Sequence, residues 1–252
     1  MRQGLIEATQ PQKSGAAHSI AFTPAVRFAL AGAIGGAALI AISRVVLGLS
    51  ADDGSVVVAV GVYSAAVLVF AYAMHRSYPH DRVGMCNLVT LTRLVIVGAL
   101  LVATLDAIPA GWGLLSLAAL ALCLDGVDGW LARKQGVASE FGARFDVEVD
   151  AAFALLLTVY AVRTDIAGLY VLALGLPHYL FCIARTVAPW LNAALPPRFS
   201  RKAICVLQIA TLLLLLVPQV GGAALAVAIS ATALALVWSF AVDIRWLYRN
   251  RT

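Results

Sequence analysis

Residues 125–150 read DGVDGWLARKQGVASEFGARFDVEVD, and they join two strongly apolar runs at about Trp112–Ala132 and Phe145–Val162. Asp125 and Asp128 close the first run; Asp146 and Asp150 open the second. An acidic side chain near the centre of a membrane helix costs about 2.5–3.5 kcal/mol on insertion scales, so four of them need a reason. Spacings of three and four put each pair on one face of its helix. The polar, basic stretch between them reverses the chain, which predicts antiparallel neighbouring helices whose four carboxylates converge at one depth, near the cytoplasmic surface. A single Asp at a helix end is ordinarily a cap or an interfacial charge, and two could pair with Arg133 and Arg144. Neither explanation covers four in register across two helices.

Carboxylates gathered in a low-dielectric site repel one another and take up protons unless cations neutralise them. Oxygen ligands without Cys or His favour hard ions such as Mg²⁺ or Mn²⁺. Four carboxylates suit two such ions with shared ligands, an arrangement that clamps the attacking and leaving oxygens in phosphoryl chemistry. Gly126, Gly129, Ala132 and Gly142 stand where bulk would block a ligand or a close helix contact, and Arg133 lies one turn beyond Gly129 with donors suited to phosphate oxygens.

Working outward, the rest of the chain reads as membrane. Hydrophobic residues make up 62% and charged residues 12% of the 252, and mean hydropathy is +0.92. A water-facing domain carries roughly a quarter charged residues. Eight apolar segments near the length of a bilayer span are expected, at about Ala25–Leu49, Ser55–His75, Leu88–Leu105, Trp112–Ala132, Phe145–Val162, Ile166–Thr186, Ala203–Val217 and Ala223–Ile244. The run of small residues from Ala31 to Gly36 suits close helix packing. Three parts follow: a polar cytoplasmic N-terminus over 1–24, two transmembrane helices over 25–78, and a six-helix membrane core over 79–252. The four cysteines are scattered and form no CxxC pair, so neither zinc nor a disulfide framework is expected.

Alternate breaks hold the basic residues, and of 18 only Arg44 and Arg163 fall near the opposite side. The positive-inside rule then sets both termini and the acidic cluster in the cytoplasm, as in a bacterial inner membrane. The net charge of +5 is accounted for by anionic lipid headgroups, and no nucleic-acid partner is implied.

The pattern Asp125-x2-Asp128-Gly129-x2-Ala132-Arg133-x8-Gly142-x3-Asp146-x3-Asp150 resembles the signature of the CDP-alcohol phosphotransferases (CDP-alcohol phosphatidyltransferases, class I), with all eight positions matched. Asn87-x2-Thr90-x2-Arg93 is similar to a second family element at the start of the first core helix; the Pro that often precedes the Asn is Cys86 here. The six segments from Leu88 onward also resemble that family's core, so the expected fold is all-α and polytopic, a six-helix core preceded by two extra transmembrane helices.

The resemblance implies the following roles. Asp125, Asp128, Asp146 and Asp150 would hold two Mg²⁺ or Mn²⁺ ions, with Asp150 also, or instead, the general base on the acceptor hydroxyl. Gly129, Ala132 and Gly142 would line the cytidine pocket, Arg133 would contact phosphate, and Asn87, Thr90 and Arg93 would face nucleotide or phosphate. The donor would be a CDP-activated lipid, CDP-diacylglycerol first, and the acceptor an alcohol, with CMP released. CDP-choline or CDP-ethanolamine with diacylglycerol is the alternative within the family; a non-catalytic cation-binding membrane protein is the alternative outside it. Arg185, Arg201 and Lys202 are candidates for the acceptor. Ser200–Gln208 only partly resembles the K-x-K-T-x-x-Q stretch of the glycerol-phosphate-using members, with Ile204 and Cys205 in place of its second Lys and its Thr. Glu148 points away from the signature face, and His178 reads as a packing residue. The extra helix pair is free to pack on the core, bind a partner or mediate assembly, a homodimer included.

Overall fold

The computed structural model describes residues 23–135, 138–193, 195–196, 198–218 and 220–251, with backbone alone for Ala132, Arg133 and Gln135. The N-terminus expected over 1–24 lies almost wholly outside the described residues. Among the described residues nine α-helices follow in order: α1 (Pro24–Leu47), α2 (Gly54–Ser77), α3 (Met85–Leu105), α4 (Trp112–Gln135), α5 (Glu140–Arg163), α6 (Leu172–Gly175), α7 (Pro177–Val187), α8 (Phe199–Leu214) and α9 (Gly222–Arg249). Among the described residues there is no strand. Helices α1 to α4 and α9 are long and apolar enough to cross a membrane, and the bent pair Leu169–Gly175 and Pro177–Val187 has the composition of a broken span or a re-entrant loop. Helix α5 misses that test through the charges it carries in its first half, α8 through its length of 16 residues. The protein is an all-α polytopic membrane protein.

Local chemistry sets the ends. Thr23 opens α1 with its Oγ1 accepting from the Val26 N–H at 3.4 Å, Pro24 takes the first helical position, and Gly48 closes the helix at φ 72°. Ser139 opens α5, its Oγ accepting from the Gly142 N–H at 3.1 Å.

The sixth expected segment, Ile166–Thr186, is not one helix. A 3-10 turn and the single turn of α6 end at Gly175, and α7 departs at 64°. Pro177 explains the break: it has no N–H to donate, and its ring displaces the carbonyl one turn earlier. Gly175 explains why α6 lies so close to α5. A Cβ there would stand 2.5 Å from Thr158 Oγ1 and 2.7 Å from Leu155 Cα, so only glycine fits.

Helix α3 is the axis of the bundle. Its apolar window is 72% buried, against 17–28% in the other four straight spans, and it packs on α1, α2, α4 and α5. The expectation that α4 and α5 would be direct neighbours is therefore amended: they meet across α3. On the other side α8 and α9 pair with each other and close on α5 and α6. The extra helices α1 and α2 both pack on α3, and the small-residue run joins them to each other. Tyr63 donates its hydroxyl proton to the Gly32 carbonyl at 3.0 Å, and Val67 fills the place a side chain at Gly32 would take.

Candidate functional site

The first half of α3 presents Asn87, Thr90 and Arg93 at a spacing of three, and all three are buried. Arg93 is the hub. One Nη lies 2.9 Å from Asp128 Oδ2 and also contacts Asp146; the other lies 3.1 Å from Asp125 Oδ1 and also contacts Asp150. Thr90 Oγ1 is 3.1 Å from Asp128 Oδ2. The four signature carboxylates, two from the end of α4 and two from the start of α5, thus converge on a guanidinium supplied by the helix between them. Arg144 takes no part, pairing with Glu140 on the exposed side of its own helix.

Oxygens of Asp125, Asp128 and Asp146 all lie within 4.8 Å of one another, with no Cys or His in the group. That donor set fits a hard divalent cation. The electrostatics agree, because one guanidinium against four carboxylates leaves an excess of negative charge in a half-buried place. Asp150 stands at the edge of this group, half-exposed.

Two cavities flank the cluster. One, of about 260 Å³, is walled by Asn87, Thr90, Asp128, Gly129, Gly142 and Asp146, among others. Glycine at 142 keeps it open, since a Cβ there would come within 3.0 Å of Asn87 Oδ1 and 3.3 Å of Ser139 Oγ. At Gly126 a side chain would meet nothing within 4 Å, so no close helix contact requires glycine there. The other cavity, of about 360 Å³, lies between α5, α6, α7, α8 and α9, with Asp150 on its wall.

The remaining expected site residues divide. Arg201 is on the wall of the larger cavity, whereas Lys202 is exposed and on neither wall. Arg185 is exposed and donates from Nε to Asn192 Oδ1 at 2.6 Å, because α7 leaves the bundle at the Pro177 bend and carries it away from the acidic cluster. Arg93 faces the carboxylates and lines neither of these cavities, but a much smaller one that it shares with Asp125 and Asp150. Ala132 and Arg133 lie outside the residues whose side chains are described. Glu148, without a role in sequence, has His178 Nε2 at 3.5 Å, and His178 itself walls the larger cavity.

Sequence reading missed a group on α8 and α9. Asp243 is 8% exposed and receives Arg201 in a two-point contact, Nε to Oδ2 at 3.0 Å and Nη to Oδ1 at 3.1 Å. Arg198 approaches the same carboxylate at 3.4 Å and donates to Ser239 Oγ at 2.8 Å. The available signal was the rule already applied to the four aspartates: an acid inside an apolar segment has a partner or a task.

The site is thus a carboxylate cluster with a cavity on either side, held within an all-helical membrane protein. The model of the CDP-alcohol phosphatidyltransferase family matches residues 83–240, from the start of α3 into α9. The chain belongs to that family. No match to a curated protein or to a solved structure was found. Family membership makes it a transferase that takes a CDP-linked alcohol as donor and an alcohol as acceptor.

Proposed function

We propose that the protein transfers a phosphatidyl group from CDP-diacylglycerol to an alcohol and releases CMP, using the cluster of Asp125, Asp128, Asp146 and Asp150. The observation that carries this reading is the convergence of the four carboxylates on Arg93, with a cavity on either side.

Asp125, Asp128 and Asp146 would hold two Mg²⁺ or Mn²⁺ ions, and Asp150 would complete their site. Such ions, when bound, neutralise the donor pyrophosphate and the charge that develops on the departing CMP. The smaller cavity would take the cytidine, with Gly129 and Gly142 leaving room for it and Asn87 offering its amide. Arg133, and Ala132 beside it, keep the phosphate and cytidine roles that the family resemblance gives them. Arg93 would hold the four carboxylates together and limit their repulsion. The acceptor hydroxyl would enter beside Asp150, which takes its proton as the alcohol oxygen attacks phosphorus. The bond from phosphorus to the CMP oxygen breaks, and the proton passes from Asp150 to solvent.

The alternating loop charges support an orientation with both termini and the cluster in the cytoplasm, where CDP-linked donors and soluble alcohols are at hand. The extra helices 25–78 would form a part separate from the catalytic core of 79–252.

The test is CMP release by the purified protein in Mg²⁺ or Mn²⁺ from CDP-diacylglycerol, with candidate alcohols added singly. Release that requires one alcohol is expected. Silence with every alcohol, but release from CDP-choline or CDP-ethanolamine with diacylglycerol, would reverse donor and acceptor. Silence in both would replace the enzyme by an ion-binding membrane protein.

A further inference from the structure

We infer that the Asn87 carboxamide, held in one orientation by Tyr78, selects a cytosine base over uracil in the smaller cavity, with the Ser139 hydroxyl as its companion. The inference rests on the transferase reading above. Tyr78 lies before the residues that the family model matches, 83–240.

The Tyr78 hydroxyl has one proton, which it donates to the Arg82 carbonyl at 3.2 Å. Its oxygen also accepts from the Gly84 N–H at 3.0 Å. Toward Asn87, at 3.2 Å, it can therefore only accept, so the amide presents its nitrogen there and its oxygen on the other side. Asn87 is 2% exposed, and its Oδ1 accepts from nothing among the described residues. That oxygen lies 3.0 Å from the point a Cβ on Gly142 would occupy, and both residues wall the smaller cavity. Ser139 Oγ lies 3.3 Å from the same point and is on the same wall. It accepts from the Gly142 N–H at 3.1 Å, and its own proton has no acceptor among the described residues.

A fixed acceptor and a free donor proton thus border one small volume. Cytosine carries an exocyclic amine that donates beside a ring nitrogen that accepts, and it matches the pair. Uracil carries a carbonyl oxygen and an N–H in those places, so its carbonyl would meet the Asn87 oxygen, acceptor against acceptor. The serine hydroxyl can turn to suit either ring nitrogen. The Asn87 amide cannot turn without giving up Tyr78. Discrimination therefore sits at Asn87 and is enforced by a tyrosine at the end of the extra helix pair. The other polar groups of the wall are engaged. Thr90 Oγ1 is 3.1 Å from both the Cys86 carbonyl and Asp128 Oδ2, and Asp128 and Asp146 contact Arg93. A site built to match one polar edge rejects the other because buried groups are then left unpaired.

The experiment measures calorimetric binding of CMP and of UMP to the purified protein in Mg²⁺, without turnover. CMP is expected to bind about a hundredfold more tightly, the difference between a matched and an opposed pair of polar groups. Tyr78→Phe keeps the ring against Phe141 and frees the amide to turn. The preference should then fall to about fivefold, through weaker CMP and tighter UMP together. A merely structural tyrosine would weaken both nucleotides alike, so a preference unchanged in the folded variant overturns the inference. Asn87→Ala covers the case in which the first variant does not fold, and should reach about the same ratio by weakening CMP alone. Wild-type binding of CMP and UMP with equal affinity, or of neither, also overturns it. CMP release from CDP-diacylglycerol, assayed separately, decides the transferase reading: a base preference without release removes that reading alone.

Discussion

Arg93, expected to face nucleotide or phosphate, lies against the four signature carboxylates. Its side chain is 4% exposed and ties together carboxylates from two helices that its own helix separates. Removing the cation while keeping a polar side chain should leave four acids facing one another. Arg93→Gln is therefore expected to lower the melting temperature in EDTA by several degrees, roughly 2–4 °C for each kcal/mol in a chain of this size, and Mg²⁺ should restore most of the loss. Equal losses with and without Mg²⁺ would mean that the cluster and its cation are not electrostatically coupled. At this scale the sequence was readable where the geometry is local. Spacings of three and four fix which carboxylates share a helix face, whatever the tertiary packing. The partner of those carboxylates was not readable, because it depends on α3 passing between α4 and α5. Asp243 stayed unread for the same reason: Arg201, which matches it, lies 42 residues away in the chain.

Among the elements, the extra helix pair reaches the site by two routes. Phe28 of α1 and Phe70 of α2 pack on Phe145, one residue before Asp146, and Phe28 also packs on Phe141. Tyr78, directly after α2, accepts from the Asn87 amide at 3.2 Å and from the Gly84 N–H at 3.0 Å, and donates to the Arg82 carbonyl at 3.2 Å. Burial pushes the Tyr78 phenol up from its ordinary value, so the hydroxyl keeps its proton at neutral pH. With its nitrogen held by Tyr78, Asn87 turns its Oδ1 toward Gly142 and the smaller cavity. Tyr78→Phe keeps the ring against Phe141 and loses only the hydroxyl. It should raise KM for the CDP-linked donor by about five- to tenfold with kcat within twofold, the effect of one hydrogen bond to a buried amide. A loss confined to kcat would contradict this division of labour. Element limits followed from caps and apolar runs, but the break in the sixth segment did not. Pro177 marked a place where a helix bends; the direction of α7, and so the fate of Arg185, is decided by how Gly175 lets α6 seat on α5.

For the whole molecule, the arrangement places chemistry at one end of the bundle. The start of α3, the end of α4 and the start of α5 supply the cluster, while the start of α8 and the end of α9 supply Arg201 and Asp243. On the orientation proposed above, this end faces the cytoplasm. In cells, a cysteine placed at Asp52 should react with a membrane-impermeant thiol reagent from outside, and one at Asp81 should react only after permeabilisation. The reverse pattern would invert the topology. The apolar helices were legible in the sequence because apolar length acts segment by segment. The sequence did not carry the two cavities, one walled by three helices and a loop and the other by five helices. The most direct test of the central claim, that the carboxylate cluster is the seat of transfer, is CMP release by Asp150→Asn measured beside the wild type, with Mg²⁺ and with EDTA. The account predicts metal-dependent release by the wild type and a fall of at least about a hundredfold in a folded variant. Release by the variant at the wild-type rate, or wild-type release indifferent to EDTA, would contradict it.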